Sequence, residues 1–215
     1  LYDTHQTSGL GHVACASCHV DARLDHLSWD LGDPMGAIKA ATRANFAAAR
    51  FSVSGGADKT FSGDGKVQID FGSTRLDGVS DVMVDANGFV VLGGGSQIRK
   101  SASRMAACRL SPGGALSGKP GDLDPAFGAG GKATLGLGGG NDSAEAVVVQ
   151  GDGRIVSAGR SHSGGGFDFA LTRHLPDGTL DTTFGTAGKA VDDFAGENDS
   201  IHGAALQADG KIVVA

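Results

Sequence analysis

The chain repeats itself, and the repeat limits its fold more than any other feature. Leu123-Asp124-Pro125-Ala126-Phe127-Gly128-Ala129-Gly130-Gly131-Lys132 returns as Leu180-Asp181-Thr182-Thr183-Phe184-Gly185-Thr186-Ala187-Gly188-Lys189, 57 residues later. A degenerate copy, Asp58-Lys59-Thr60-Phe61-Ser62-Gly63-Asp64-Gly65-Lys66, precedes both. Asn141-Asp142-Ser143 matches Asn198-Asp199-Ser200, and Arg109 to Leu116 matches Arg173 to Leu180. Gln150-Gly151-Asp152-Gly153-Arg154-Ile155-Val156 matches Gln207-Ala208-Asp209-Gly210-Lys211-Ile212-Val213, and the first copy carries Asp85-Ala86-Asn87-Gly88-Phe89-Val90-Val91 there. Units of this length are supersecondary modules that must stack, because one alone cannot bury its apolar faces. The landmarks place unit 1 at 58–122, unit 2 at 123–179 and a truncated unit 3 at 180–215.

The glycine content sets the class of module. Glycine supplies 37 of 215 residues, against a usual ~7%. There is no Gly-x-y period, so the glycines punctuate short apolar runs, as tight turns between strands do. Unit 2 predicts four strands, at 132–137, 144–150, 154–159 and 167–175. Asp152-Gly153 predicts a hairpin turn of the primed type, since glycine accepts positive φ. In the last strand Phe167, Phe169, Leu171 and Arg173 share one face, and Asp168, Ala170, Thr172 and His174 the other. Four antiparallel strands per unit is the content of a β-propeller blade.

These residues resemble the delta-60-type repeat of bacterial exported proteins. The likeness rests on the Leu-Asp-x-x-Phe-Gly start, the Asn-Asp-Ser step, the Gln-x-Asp-Gly-Lys/Arg-Ile-Val hairpin and Phe167-Asp168-Phe169-Ala170-Leu171. In unit 1 Ser62 replaces a glycine, and Met105-Ala106-Ala107-Cys108 stands for the Phe-Asp-Phe-Ala run. The resemblance implies tandem β-rich units in large surface or secreted proteins, and no catalytic residues. The expected fold is mainly β: tandem four-stranded antiparallel blades, incomplete as a propeller, behind a short α-helical segment. Two and a half blades cannot close a ring of the usual number. An apolar blade face is therefore expected to be open, to be covered by further repeats or by another copy.

A second feature lies ahead of the repeats. Cys15-Ala16-Ser17-Cys18-His19 is the Cys-x-x-Cys-His pattern of c-type haem attachment. Two thiols at this spacing add across the two vinyl groups of one porphyrin edge. The adjacent histidine is then held under the iron as proximal ligand. With Leu27-Ser28-Trp29-Asp30-Leu31-Gly32-Asp33-Pro34, the motif resembles a cytochrome-c-like module of exported multidomain proteins. That resemblance implies covalent haem at Cys15 and Cys18, with His19 as axial ligand. Met35 and His26 are the candidate distal ligands, with His12 and His5 as rivals or the position open. The competing readings of the cysteine pair are a local disulfide, a zinc half-site with His19 and His26, and a thioredoxin-type redox pair.

The alanine-rich run 37–50 predicts a helix. Residues 1–53 are accordingly read as the haem segment and 54–57 as a linker. Both ends of the chain read as cut. The Asn-Asp-Ser steps and Gly-Asp-Gly turns are weak calcium candidates, since the same residues simply form turns. His162 and His174 read as surface groups. The net charge of −6 with scattered Lys and Arg argues against a nucleic-acid groove. No apolar stretch is long enough to span a membrane. The function expected from these features is electron transfer by an exported, extracytoplasmic c-type haem protein. Its partner would be a redox protein or extracellular acceptor, and the repeats a scaffold or docking surface. The alternatives are a non-redox adhesion or binding repeat protein and a haem peroxidase-like enzyme.

Overall fold

The computed structural model describes residues 45–72, 76–99, 102–114, 118–163, 165–194 and 196–215. Their regular structure is entirely strand. One four-stranded antiparallel sheet holds β3 (Asp77–Val84), β4 (Val90–Arg99), β5 (Ala102–Leu110) and β6 (Lys132–Leu135) in that order. A second repeats it with β7 (Asp142–Val149), β8 (Ile155–Ser163), β9 (Gly166–His174) and β10 (Lys189–Asp192). Two-stranded sheets flank them in sequence: β1 (Phe46–Ala49) with β2 (Lys66–Ile69), and β11 (Ala204–Leu206) with β12 (Ile212–Val214).

Unit 2 forms the expected strands, but they do not form one sheet. Its first strand, β6, pairs with β5 of the preceding unit, Met105 opposite Leu135 and Cys108 opposite Lys132. Likewise β10 of unit 3 pairs with β9 of unit 2. Each sheet therefore takes its outer strand from the next sequence unit, and the backbone stitches neighbouring repeats together. The register also places Met105 where the second sheet has Phe169, because each lies three residues beyond the one facing the Gly-Lys lysine.

The last residues of the alanine-rich run depart from the helix that propensity predicts. Phe46–Ala49 is a strand, paired with β2 from Phe46 opposite Ile69 to Ala49 opposite Lys66. Pairing and burial of Phe46, which is fully buried, override the local preference of alanine. Residues 51–57, which include the linker expected at 54–57, form a turn closed by Ser52 N–H to Gly56 O and Asp58 N–H to Arg50 O.

The first sheet is packed on both faces. One face sets Leu92, Ala106, Cys108 and Leu110 against Phe46, Phe61 and Ile69 of the β1–β2 region. The other sets Val91 with Phe127, Val147 and Ile155, and Met105 with Ala144 and Ala170. A fully buried aromatic such as Phe61 or Phe127 contributes about 1.5–3 kcal/mol relative to exposure. Two glycines let the strands close up. A Cβ on Gly94 would sit 1.9 Å from Gly78 O, and one on Gly159 2.0 Å from Ser143 O. Both lie where the inner strand bulges, at Val79/Asp81 and Ala144/Ala146.

The Asp152-Gly153 hairpin forms, but as another turn type. Gly153 N–H donates to Gln150 O and Gln150 N–H to Arg154 O, and Gly153 takes φ +84° while Asp152 does not turn positive. That is a three-residue loop with glycine in the left-handed position, not a primed two-residue turn. The same pair of bonds closes the loops at Gly88 and Gly210.

Candidate functional site

The sequence repeat resolves into a charged clip built three times. In each, an arginine at the end of a strand donates Nε–H to an aspartate that opens the next turn. Arg50 reaches Asp58 Oδ2 at 2.8 Å, Arg109 reaches Asp124 at 2.7 Å and Arg173 reaches Asp181 at 2.8 Å. The second oxygen of each aspartate accepts the N–H two residues on, at Thr60, Ala126 and Thr183. Backbone bonds lock the frame: Asp58, Asp124 and Asp181 N–H each donate to the paired arginine's carbonyl. The guanidinium then lies over the phenylalanine three residues beyond the aspartate. The distances are 4.9 Å for Arg50 over Phe61, 5.1 Å for Arg109 over Phe127 and 4.7 Å for Arg173 over Phe184.

Two of the clips, at Asp58 and Asp181, favour the ionised carboxylate. Asp181 is brought down to about 2, first by the Thr183 hydroxyl and with help from Arg173. Asp58 is also lowered, chiefly by the Thr60 hydroxyl and N–H and then by Arg50. A carboxylate held this way accepts bonds and does not shuttle protons near neutrality. Sequence comparison alone singles out Asp58, Asp124 and Asp181 but not Arg50. The signal was the eight-residue step between arginine and aspartate, the same in Arg50–Asp58 and Arg173–Asp181. In the middle clip the step is 15 because the loop after Arg109 is longer.

A second repeated carboxylate closes the turn before each inner strand. Asp77, Asp142 and Asp199 accept backbone N–H from Phe71, Leu137 and Phe194 at 3.1, 2.8 and 2.8 Å. Asp142 also takes the Ser161 hydroxyl at 2.6 Å. Asp77 was missed in sequence because Leu76-Asp77-Gly78 lacks the asparagine and serine that mark the other two. The calcium candidates in the hairpins, Asp152 and Asp209, accept N–H from Arg154 and Lys211. Among the described residues no group of three or more His, Cys, Asp or Glu is arranged to hold a metal.

A cleft of about 490 Å³ opens beside β6 and is lined by residues that include Phe71, Lys132, Leu135, His174 and Leu180. Lys132 Nζ donates to Asp70 O at 2.8 Å. His174, expected at the surface, is buried, with Nδ1 lacking a hydrogen-bond partner. Burial pushes its pKa down, so the imidazole is neutral. Cys108 is fully buried on β5 and burial raises its pKa to about 12, so it is a packing group and not a nucleophile. The cleft thus offers apolar walls and one committed ammonium, and no nucleophile paired with a base. The haem candidates Cys15, Cys18, His19, His26 and Met35 lie outside the described residues.

Residues 150–184 match the family model described as a β-propeller domain of unknown function (DUF5122). The match runs from the Gln150 hairpin through β8 and β9 to the Asp181–Phe184 clip. With the tandem antiparallel sheets, it makes this a β-propeller-like repeat protein. No curated protein matches the chain.

Proposed function

We propose that the repeats act as a rigid scaffold and docking surface, and that redox chemistry, electron transfer by covalent haem, belongs to the Cys15–His19 segment. The observation behind the scaffold role is where the repeated charges go. Asp58, Asp124 and Asp181 bind arginines, and Asp77, Asp142 and Asp199 bind backbone amides, so both sets serve the fold. The haem role rests on the Cys-x-x-Cys-His pattern. In that reading Cys15 and Cys18 would hold the porphyrin and His19 would ligate the iron, with Met35 or His26 as the candidate second ligand. Haem would supply a one-electron couple, exchanged outside the cytoplasm with a redox protein or an extracellular acceptor.

Mass and visible spectra of exported protein test the pair of roles. The peptide containing Cys15 and Cys18 should carry the haem increment, and the reduced protein should show sharp α and Soret bands. Replacing both cysteines with Ala should abolish these and leave the repeats' unfolding transition where it was. A haem-free wild-type protein would leave the non-redox binding scaffold as the reading. A collapse of the repeats on losing the cysteines would sink the division of labour.

A further inference from the structure

The repeat is broken where β6 meets the second sheet. Aligned on the Gly-Lys lysines, Leu135 of β6 is the counterpart of Ile69 on β2. His174 is the counterpart of Leu110, since each follows its clip arginine, Arg173 or Arg109. Ile69 and Leu110 are buried in one apolar cluster with Phe61, so that place in the fold is filled. One repeat on, Leu135 and His174 instead line the 490 Å³ cleft, together with Phe71 and Leu180. Small-ligand sites occupy about 300–1,000 Å³, and the cleft lies within that range.

Histidine is a costly choice for this wall. His174 is 5% exposed, and its Nδ1 is buried without a hydrogen-bond partner. Leucine, which the first sheet uses, carries no polar atom to satisfy. A local rule broken at a stability cost marks a place where function competes with packing.

Lys132 supplies charge at the same place. Its Nζ gives one proton to Asp70 O at 2.8 Å and lies 5.9 Å from the centre of the Phe71 ring. An ammonium has three protons, so two remain for another acceptor. Arg50, Arg109, Arg154 and Arg173 all pair with aspartates, but among the described residues no carboxylate pairs with Lys132.

We infer that this cleft binds a small carboxylate with an apolar body, the carboxylate on Lys132 and the body against Phe71, Leu135 and Leu180. One cation matches one negative charge. A dianion such as phosphate would leave charge unmatched beside apolar walls. His174 adds no second cation, because burial keeps its imidazole neutral. The site does not rest on the haem role proposed above, and it gives the repeats a binding function of their own.

The test titrates octanoate into the 215-residue chain and follows it by NMR. The Leu135 and Leu180 methyl signals and the His174 imidazole signals should shift together and saturate. 1-Octanol, with the same chain and no charge, should bind at least about tenfold more weakly. Hexanoate should lose at least about threefold, because two fewer methylenes leave water. Lys132→Met should weaken octanoate by at least about tenfold, and Lys132→Arg, which keeps the charge, should restore most of the affinity. Lys189, the counterpart one repeat on, donates to Gly136 O outside this cleft, so Lys189→Met should change nothing. The inference is overturned if the cleft signals do not saturate or if 1-octanol binds as tightly as octanoate. Equal weakening by Lys132→Met and Lys189→Met would also overturn it, since any surface cation would then serve.

Discussion

The clips at Arg109–Asp124 and Arg50–Asp58 use the same residues in the same geometry, with Nε to oxygen distances of 2.7 and 2.8 Å. They differ in what covers them. Arg109 lies between the Phe89 and Phe127 rings, at 4.7 and 5.1 Å, and gives a further bond to Pro176 O at 2.6 Å. Arg50 has Phe61 on one side only and a hydroxyl, Thr60, as its further partner. An ion pair gains most where its partners are held dry and every remaining proton is matched. The comparison shows that the repeat sequence specifies the clip's shape, while the neighbouring sheet determines its energetic weight.

Asp124→Ala should give the largest loss. It strands Arg109 between two rings without its counter-charge and removes the acceptor for Ala126 N–H. Removing one partner of a buried pair costs about 3–5 kcal/mol, to be read as a lower denaturant midpoint with unchanged slope. A loss no greater than that of the exposed clip would break the comparison.

The Asp181 clip also contributes a pH-dependent share of stability. Asp181 titrates at about 2 in the folded chain, below the ~3.9 of an unfolded aspartate. Its stabilisation is therefore complete above about pH 4 and is lost as pH falls toward 2. In Asp181→Asn the melting temperature should be lower at neutral pH, and its fall between pH 4 and 2 should be shallower than in the parent. Parallel curves would mean that the Thr183 hydroxyl and Arg173 do not hold this carboxylate.

The strands were legible in sequence and the sheets were not. Turn glycines and apolar runs are local, so the positions of β6 to β9 follow from them. Which strand closes which sheet is a non-local pairing. A periodic sequence looks the same wherever a unit is said to begin, so nothing local assigned β6 to β5. Asp168, Ala170, Thr172 and His174 were correctly placed on one face of β9. That the polar face is the buried one depends on the neighbouring sheet, which covers it with Met105 and Leu137. Arg50 was hidden because alanines precede it, and their propensity argues for helix until β2 supplies a partner. Of the candidate site, the aspartates were legible and the arginines that give them a role only partly so.

Gly94→Ala separates the close strand approach from the charges. Its Cβ has no room against Gly78 O, so β3 must move off β4. Overpacking of this kind costs about 1–3 kcal/mol. Gly78→Ala, on the same strand pair with open space at its Cβ, should cost less. Equal losses would show that glycine is needed there only for chain flexibility.

His174 and Leu110 hold the same position in the two sheets, and they give the next smaller effect. His174 is buried and neutral, with its pKa below the ~6.5 of an unfolded histidine. As pH falls below about 6.5 the unfolded chain takes up a proton that the folded chain resists, so stability drops with acidification. His174→Leu, the residue the first sheet uses, should remove part of the melting-temperature difference between pH 7.5 and 5.5. An unchanged difference would place the acid sensitivity elsewhere.

Asp58→Ala should have the smallest effect, and it bears most directly on the opening comparison. It removes the same bonds as Asp124→Ala, to Arg50 and to Thr60 N–H, but leaves behind groups that water reaches. A freed arginine at an exposed edge is solvated, so most of the pair's attraction is replaced. In dilute single chains the denaturant midpoint should shift by only a fraction of the Asp124→Ala shift. A shift equal to that of Asp124→Ala in the single chain would mean that geometry, and not covering, decides what a clip contributes.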